Sequence, residues 1–297
     1  MALVQIADRV FVLPGGVNIG IVRLGNGGCA LVDAGLNDSA AKKAIKAVRE
    51  ELGSEVTAVV TTHGHADHFG GNATVVKRTG ARVLAPAIDE AILRYPILQP
   101  ALLYGGADPI DSMRTNFMLA EASPVDVVYG AGPLPLDGFQ GEAISLAGHS
   151  PNQMGILVDG VFFAADVVLP ASVLEKYRIP YLFSLTDHLA ALEACTAVDA
   201  EVVVAGHGPV LDSIGDLRDE NRRIVLETAD VIVAFCEVAR TSGEIMTEVL
   251  ERRGADVNDA PGYYLLQPTI QAYLSHLTRT GQLVSEIGAN RSTWRRC

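Results

Sequence analysis

The stretch TTHGHADHFGG, residues 61–71, places three of the chain's seven histidines and an aspartate within six positions. A single histidine is readily explained as a hydrogen-bonded core residue. Four metal-compatible side chains in so short a segment, His63, His65, Asp67 and His68, are not. In extended backbone alternate residues point to one side, so an H-x-H-x-D run gathers its donors while His68, next to Asp67, faces elsewhere. One short H-x-H-x-D-H loop can therefore feed two adjacent centres. Imidazole nitrogen and carboxylate oxygen suit zinc and, with different affinity, iron or manganese.

The surrounding pattern is that of alternating strands and helices. RVFVL (9–13), VNIGIVRL (17–24) and CALVDAG (29–35) are β-rich and separated by glycine turns. Ser39 is expected to cap a helix that runs through Leu52 and stops at Gly53. EVTAVVTT (55–62) has the composition of a buried strand and leads directly into the histidine cluster. RVLA (82–85), AISLAG (143–148) and GILV (155–158) read as further strands, and the Asp-Gly at 159–160 turns the chain back into VFFAAD (161–166). A helix is expected from Ser184 to about Val198, and EVVVAG (201–206) as a last core strand. Because hairpins interrupt the alternation, mixed sheets covered by helices fit better than a doubly wound parallel sheet.

Three more donors sit where strands end. His149 lies in LAGHSP, His207 in VAGHGP, and Asp166 closes VFFAAD. Alone, each would pass for an ordinary loop histidine or strand-end carboxylate. Together they sit at the loop ends of an α/β-type fold, where sites are commonly built, and convergence on a two-metal centre is the economical reading. His188, inside SLTDHLAALEAC, is expected at the surface or a helix cap, and His276 in packing of the C-terminal region.

The ordered set THGHADHFGG, LAGHSP, FFAAD and VAGHGP, with LVDAG near the start, resembles the metallo-β-lactamase fold superfamily of metallohydrolases across residues 1–211. The resemblance implies an α/β fold, an αββα sandwich of two mixed sheets with helices outside. Carried over motif by motif, His63, His65 and His149 would hold one metal, Asp67, His68 and His207 a second, and Asp166 would bridge them. Asp33 would support the metal loop without coordinating. The cofactors implied are two divalent metal ions, zinc first, with iron or manganese as alternatives. The chemistry implied is hydrolysis of an ester, thioester, lactone or related acyl substrate by a metal-held hydroxide, with Asp67 orienting the nucleophile and shuttling a proton. A phosphodiesterase of the same fold and a mononuclear-iron enzyme like persulfide dioxygenases are the alternatives. A non-catalytic regulatory protein fits the full ligand set poorly.

Two regions fall outside those motifs. Residues 95–124 are rich in Pro, Gly and bulky apolar groups without a sustained period, and read as a lid or pocket wall. On that reading Tyr95, Leu98, Leu102, Leu103 and Tyr104 would face a partly hydrophobic substrate, with Tyr177 and Tyr181 of EKYRIPYLF as further candidates. Residues 212–297 read as a small helical, winged-helix-like domain. It carries no conspicuous Lys/Arg stripe, so packing or homodimer contact is favoured over DNA binding. The net charge of -12 likewise disfavours nucleic acid and anionic membranes as partners, leaving a small-molecule substrate. No apolar run approaches the roughly 18 to 20 residues of a membrane span. No basic n-region precedes an apolar stretch at the N-terminus. Cys29, Cys195, Cys236 and Cys297 are too dispersed for a zinc or redox pair. A cytoplasmic location is expected.

Overall fold

The computed structural model describes residues 2–297. Seven strands form the first sheet in chain order: β1 (Val4–Gln5), β2 (Val10–Leu13), β3 (Ile19–Arg23), β4 (Cys29–Val32), β5 (Val56–Val60), β6 (Arg82–Pro86) and β7 (Val127–Tyr129). Pairing is antiparallel up to β4 and parallel from there on. The parallel half is spanned by helices α1 (Asp38–Leu52), α2 (Ala66–Phe69), α3 (Asn72–Thr79), α4 (Asp89–Arg94) and α5 (Leu98–Leu103). The second sheet holds β8 (Gly132–Pro133), β9 (Gly141–Ser145), β10 (Met154–Val158), β11 (Val161–Ala165), β12 (Val202–Ala205) and β13 (Val210–Leu211). Only its β11–β12 pair is parallel, and α6 (Ala171–Tyr177) and α7 (Leu185–Ala194) lie in that crossover.

Period-two alternation sorts the side chains into layers. Val10, Val12, Val22 and Val32 of the first sheet meet Met154, Ile156, Val158 and Phe163 of the second in one core between the sheets. Their neighbours Phe11, Ile21 and Leu31 point outward onto Ala44, Ile45 and Val48 of α1. On the far side Phe162, Ala164 and Val203 pack under Ala191 and Leu192 of α7. The result is a helix–sheet–sheet–helix sandwich. Full burial of each large aliphatic is worth about 1.5–3 kcal/mol, so the alternation holds the register firmly.

Some local details differ from expectation for identifiable reasons. The first helix begins at Asp38 because Asn37, not Ser39, caps it, accepting the Ser39 and Ala40 N–H groups at 3.0 and 3.3 Å. The turn at 159–160 forms as expected, both residues having positive φ (50° and 72°), the geometry that suits right-twisted hairpins. EVVVAG is followed by a further short strand, β13. Residues 95–124 are not wholly irregular: they hold α5 and a single 3₁₀ turn at Asp111–Met113.

The C-terminal region is three helices, α8 (Gly215–Phe235), α9 (Ser242–Arg253) and α10 (Ala260–Arg279), then a hairpin of β14 (Leu283–Gly288) and β15 (Arg291–Arg296). A capping box of Thr241 and Glu244 opens α9. Its core of Ile232, Ile245, Val249, Ile270 and Tyr273 also takes in Ile179, Leu182 and Leu185. The segment leading into α7 is thereby clamped by the C-terminal helices. No helix among the described residues is long and apolar enough to cross a membrane.

Candidate metal centre and active site

Four loops deliver the site to one edge of the sandwich. The chain leaves β5 through Thr61 and Thr62, presents His63 and His65, and enters α2, whose first turn carries Asp67 and His68. His149 lies between β9 and β10, Asp166 directly after β11, and His207 directly after β12. The seven side chains gather in three overlapping groups: His63, His65 and His149; His63, His68 and Asp166; Asp67, His68 and His207. In the first, His65 Nδ1 lies 3.0 Å from His63 Nε2 and 2.9 Å from His149 Nε2. Asp166 stands between the groups, 3.4 Å from His68 Nε2, 3.3 Å from His207 Nε2 and 3.5 Å from His149 Nε2. Asp67 Oδ2 is 3.5 Å from His207 Nε2.

Hydrogen bonds behind the rings decide which nitrogen faces inward. Asp33 accepts the Thr62 N–H and hydroxyl, both at 2.8 Å, and the His68 Nδ1–H at 2.7 Å. Because the Thr62 hydroxyl is spent on Asp33, its oxygen accepts the His63 Nδ1–H at 3.0 Å. His149 Nδ1 donates to the Tyr181 carbonyl at 3.2 Å and His207 Nδ1 to the Gly16 carbonyl at 2.6 Å. In all four rings Nδ1–H is engaged from outside and Nε2 is turned inward, the arrangement that orients and strengthens imidazole ligands. Positive φ at Asp33 (62°) and Ala165 (48°) bends the two strand ends that aim Asp33 and Asp166, strain of the kind found at functional sites.

Burial lowers the pKa of His63 well below its usual value, with neighbouring His68 and His65 adding to the effect; burial also brings His65 to about 4 and His149 to about 3. These three rings are neutral, with lone pairs available. The other half behaves oppositely. Burial opposes charge on His68 and His207 too, but Asp166, Asp33 and Asp67 around His68 push its pKa well up, and Asp166 and Asp67 bring His207 to about 10. Burial likewise opposes ionisation of Asp67 and Asp166, and the facing His68 and His207 outweigh it, holding both carboxyls below the ordinary range. Positive charge is drawn to this half.

The donor set fits divalent metal. Buried His68 Nε2 and Asp166 Oδ1 lack a hydrogen-bond partner among the described residues, an arrangement that is costly unless something else satisfies them. Ligand–ligand separations of roughly 3.3 Å are what tetrahedral zinc–nitrogen bonds require, close to those found here. Gly206 keeps the space open: a Cβ there would fall 2.0 Å from Asp166 Oδ1 and 2.9 Å from His68 Cε1.

The centre opens into a cleft of about 1540 Å³, walled by the Leu13–Val17 loop, the start of α1, the 177–181 segment, and the turn before α10 with Leu265 and Leu266. Of the aromatic and aliphatic candidates, Tyr177 and Tyr181 line it, Tyr181 lying edge-on to His65 and His149 at 5.4 and 5.8 Å between ring centres. Tyr95, Leu98, Leu102, Leu103 and Tyr104 do not. Tyr95 and Leu102 are 64% and 56% exposed, and Leu98 also faces outward. Leu103 is buried beside Met113 and Met118, and Tyr104 packs against Tyr264 at 4.6 Å. The short helix α5 buries Pro100 and Leu103 and turns Leu98 and Leu102 out, so residues 95–124 reach the cleft through Gln99, Phe117 and Met118 instead.

The metallo-beta-lactamase superfamily profile matches residues 12–207, a span containing every donor of the centre. The chain belongs to the metallo-β-lactamase superfamily. It is a hydrolase of that superfamily, and its His/Asp cluster is of the kind that can hold metal. It is 22% identical to an atrochrysone carboxyl ACP thioesterase of Passalora fulva over 280 residues, 89% of this chain and 71% of that one. It is 25% identical to a hydroxyacylglutathione hydrolase of Haemophilus influenzae over 186 residues, 60% of this chain and 79% of the other. A beta-lactamase domain protein from Burkholderia ambifaria shares the fold with a TM-score of 0.76 at 20% identity, covering 99% of this chain and 93% of its own.

Two further features of this superfamily member escape sequence reasoning. Asn18 ties the His207 loop to the first sheet, its side chain donating to the Ala205 and Gly208 carbonyls at 3.0 and 2.9 Å. No local motif marks it. His188 is buried, not at the surface: a Cβ on Gly148 would fall 2.3 Å from the His188 backbone nitrogen, so the α7 backbone sits tightly under the His149 loop. Burial lowers the His188 pKa to about 4. His276 hydrogen-bonds Thr186 at 2.9 Å, against α7.

Proposed function

We propose that this hydrolase cleaves a thioester, or a closely related acyl ester, whose acyl part is bulky and largely apolar. The carrying observation is the cleft. At about 1540 Å³ it exceeds the usual 300–1,000 Å³ of a small-ligand pocket, and apolar side chains such as Val17, Leu36, Phe117, Met118 and Leu266 lead directly to the histidine cluster. The names of two relatives, an ACP thioesterase and a hydroxyacylglutathione hydrolase, support an acyl conjugate as substrate.

In this reading His63, His65 and His149 hold one ion, and Asp67, His68 and His207 the other, with Asp166 shared, zinc being the first candidate. Divalent ions bound there supply Lewis acidity and a water molecule acidified to near-neutral pKa. The protein does the rest. Asp33, the Tyr181 carbonyl and the Gly16 carbonyl hold the imidazoles in register through their Nδ1–H bonds. Asp67, 17% exposed against 6% for Asp166, is the carboxylate within reach of water in the cleft, and takes the proton as attack proceeds. Tyr177 and Tyr181 line the approach and shield the acyl carbon from bulk solvent.

The test is a panel of acyl thioesters, oxygen esters, lactones and phosphodiesters assayed with the purified protein. The expected result is thioester or ester hydrolysis with kcat/KM rising with apolar acyl size, and a raised KM for Phe117→Ala. Turnover of phosphodiesters alone would overturn the substrate assignment.

A further inference from the structure

Asp89 belongs to none of the donor groups, yet its carboxylate joins the two loops that present the three neutral imidazoles. One oxygen accepts the Gly64 N–H at 2.8 Å, and the other accepts the Asn152 N–H at 2.8 Å. Gly64 sits between His63 and His65, on the loop leaving β5 of the first sheet. Asn152 lies three residues beyond His149, on the loop entering β10 of the second. The Asn152 side chain returns to the same place, donating to the Ala87 carbonyl at 3.0 Å. Asp89 itself is fully buried, 0% exposed.

The backbone leading into Asp89 is strained. Ile88 has φ 73° and ψ -57°, close to the rare γ-turn of positive φ and an outlier for a β-branched residue. Such a conformation persists only where its surroundings over-determine it. The Ile88 side chain is 64% exposed, so its own packing offers little compensation. What the bend achieves is the placement of the next side chain between the two loops.

We infer that Asp89 is a positioning residue that sets the separation of the His63–His65 loop from the His149 loop, and with it the geometry of the three-imidazole half of the metal centre. The inference rests on the reading of those histidines as metal ligands. A carboxylate can accept both N–H groups, whereas an amide accepts on one atom only and turns its NH₂ against the other donor. Asp89→Asn therefore preserves size while releasing one loop.

The experiment compares the wild-type chain, Asp89→Asn, Asp89→Glu, Asn152→Ala and a control, Thr228→Ala, in the C-terminal core, where the buried hydroxyl bonds the Ile224 carbonyl at 2.9 Å. Zinc affinity is read by chelator competition, ligand geometry by the visible spectrum of the cobalt(II)-substituted protein, and folding by thermal unfolding of metal-stripped samples. Asp89→Asn is expected to weaken zinc about 10–100-fold, the range for residues that orient metal ligands, and to alter the cobalt spectrum. Thr228→Ala should lower Tm while leaving zinc affinity and spectrum unchanged. An Asp89→Asn protein with lowered Tm but wild-type affinity and spectrum would overturn the inference. Asn152→Ala, which loses only the Ala87 bond and keeps both Asp89 bonds, should leave zinc affinity near wild type. Should Asp89→Asn not fold, Asp89→Glu, which keeps both acceptor oxygens but moves them by one methylene, is expected to weaken zinc several-fold, and unchanged affinity there would overturn the inference equally. If the wild-type chain binds no zinc or cobalt, the ligand assignment itself fails, a separate outcome.

Discussion

The two halves of the metal centre are built from the same kinds of side chain and are electrostatic opposites. Burial leaves His63, His65 and His149 neutral, while the carboxylates Asp33, Asp67 and Asp166 make His68 and His207 attract positive charge. One half offers lone pairs and the other offers negative charge. Imidazole basicity here is therefore a property of the neighbours more than of the residue. Asp166, within 3.5 Å of His149, His68 and His207, reaches both halves, and under the proposed function it is the carboxylate they would share.

The comparison is broken most severely at its junction. Asp166→Asn or His149→Ala should lower kcat/KM by about 10³-fold or more, since metal-supplied stabilisation amounts to several kcal/mol. Metal content measured alongside would show whether the two halves empty together, as sharing of Asp166 requires. Asp67→Asn should act next most strongly, lowering kcat by about 10²–10⁴-fold with less change in KM, because it removes a proton acceptor that is also a proposed ligand of the carboxylate-rich half. Steady-state kinetics separates those two parameters directly.

Asp33→Asn sharpens the contrast. It disturbs the carboxylate-rich half, whose His68 loses its Nδ1 acceptor, and should weaken metal about 10–100-fold by chelator competition. The smallest effect belongs to His188, beneath the His149 loop. Its pKa falls from an unfolded value of 6.5 to about 4, so below pH 6.5 the unfolded chain binds the proton that the folded chain refuses. Stability is thus fully present above pH 6.5 and lost as pH falls toward 4. At pH 5 the loss from this group is about 2 kcal/mol relative to pH 7. Urea unfolding of metal-stripped protein should show a shallower acid decline in His188→Gln than in wild type; equal slopes would refute this.

Legibility in the sequence followed distance along the chain. The donors were readable because H-x-H-x-D-H is local, and because His149, Asp166 and His207 each stand at a visible strand end. The layered fold was readable from alternation and from the Asp-Gly hairpin. The supporting bonds were not: Asp89 meets partners 25 and 63 residues away, and Asn18 meets Ala205 and Gly208 across the sandwich. Pocket residues were misjudged for another reason. Apolar composition in residues 95–124 says that something is covered, but α5 is too short for periodicity to say which face, and Tyr95, Leu98 and Leu102 turned outward while Phe117 and Met118 faced the cleft. For His188 the helical position was right and the burial was not, because the Gly148 approach that covers it comes from a loop 40 residues upstream.

The most direct test of the two-halved centre is elemental mass spectrometry on protein purified without added metal. The account predicts about two divalent ions per chain, zinc first, one for each half. A single iron per chain, or no metal retained after reconstitution with zinc, would contradict it.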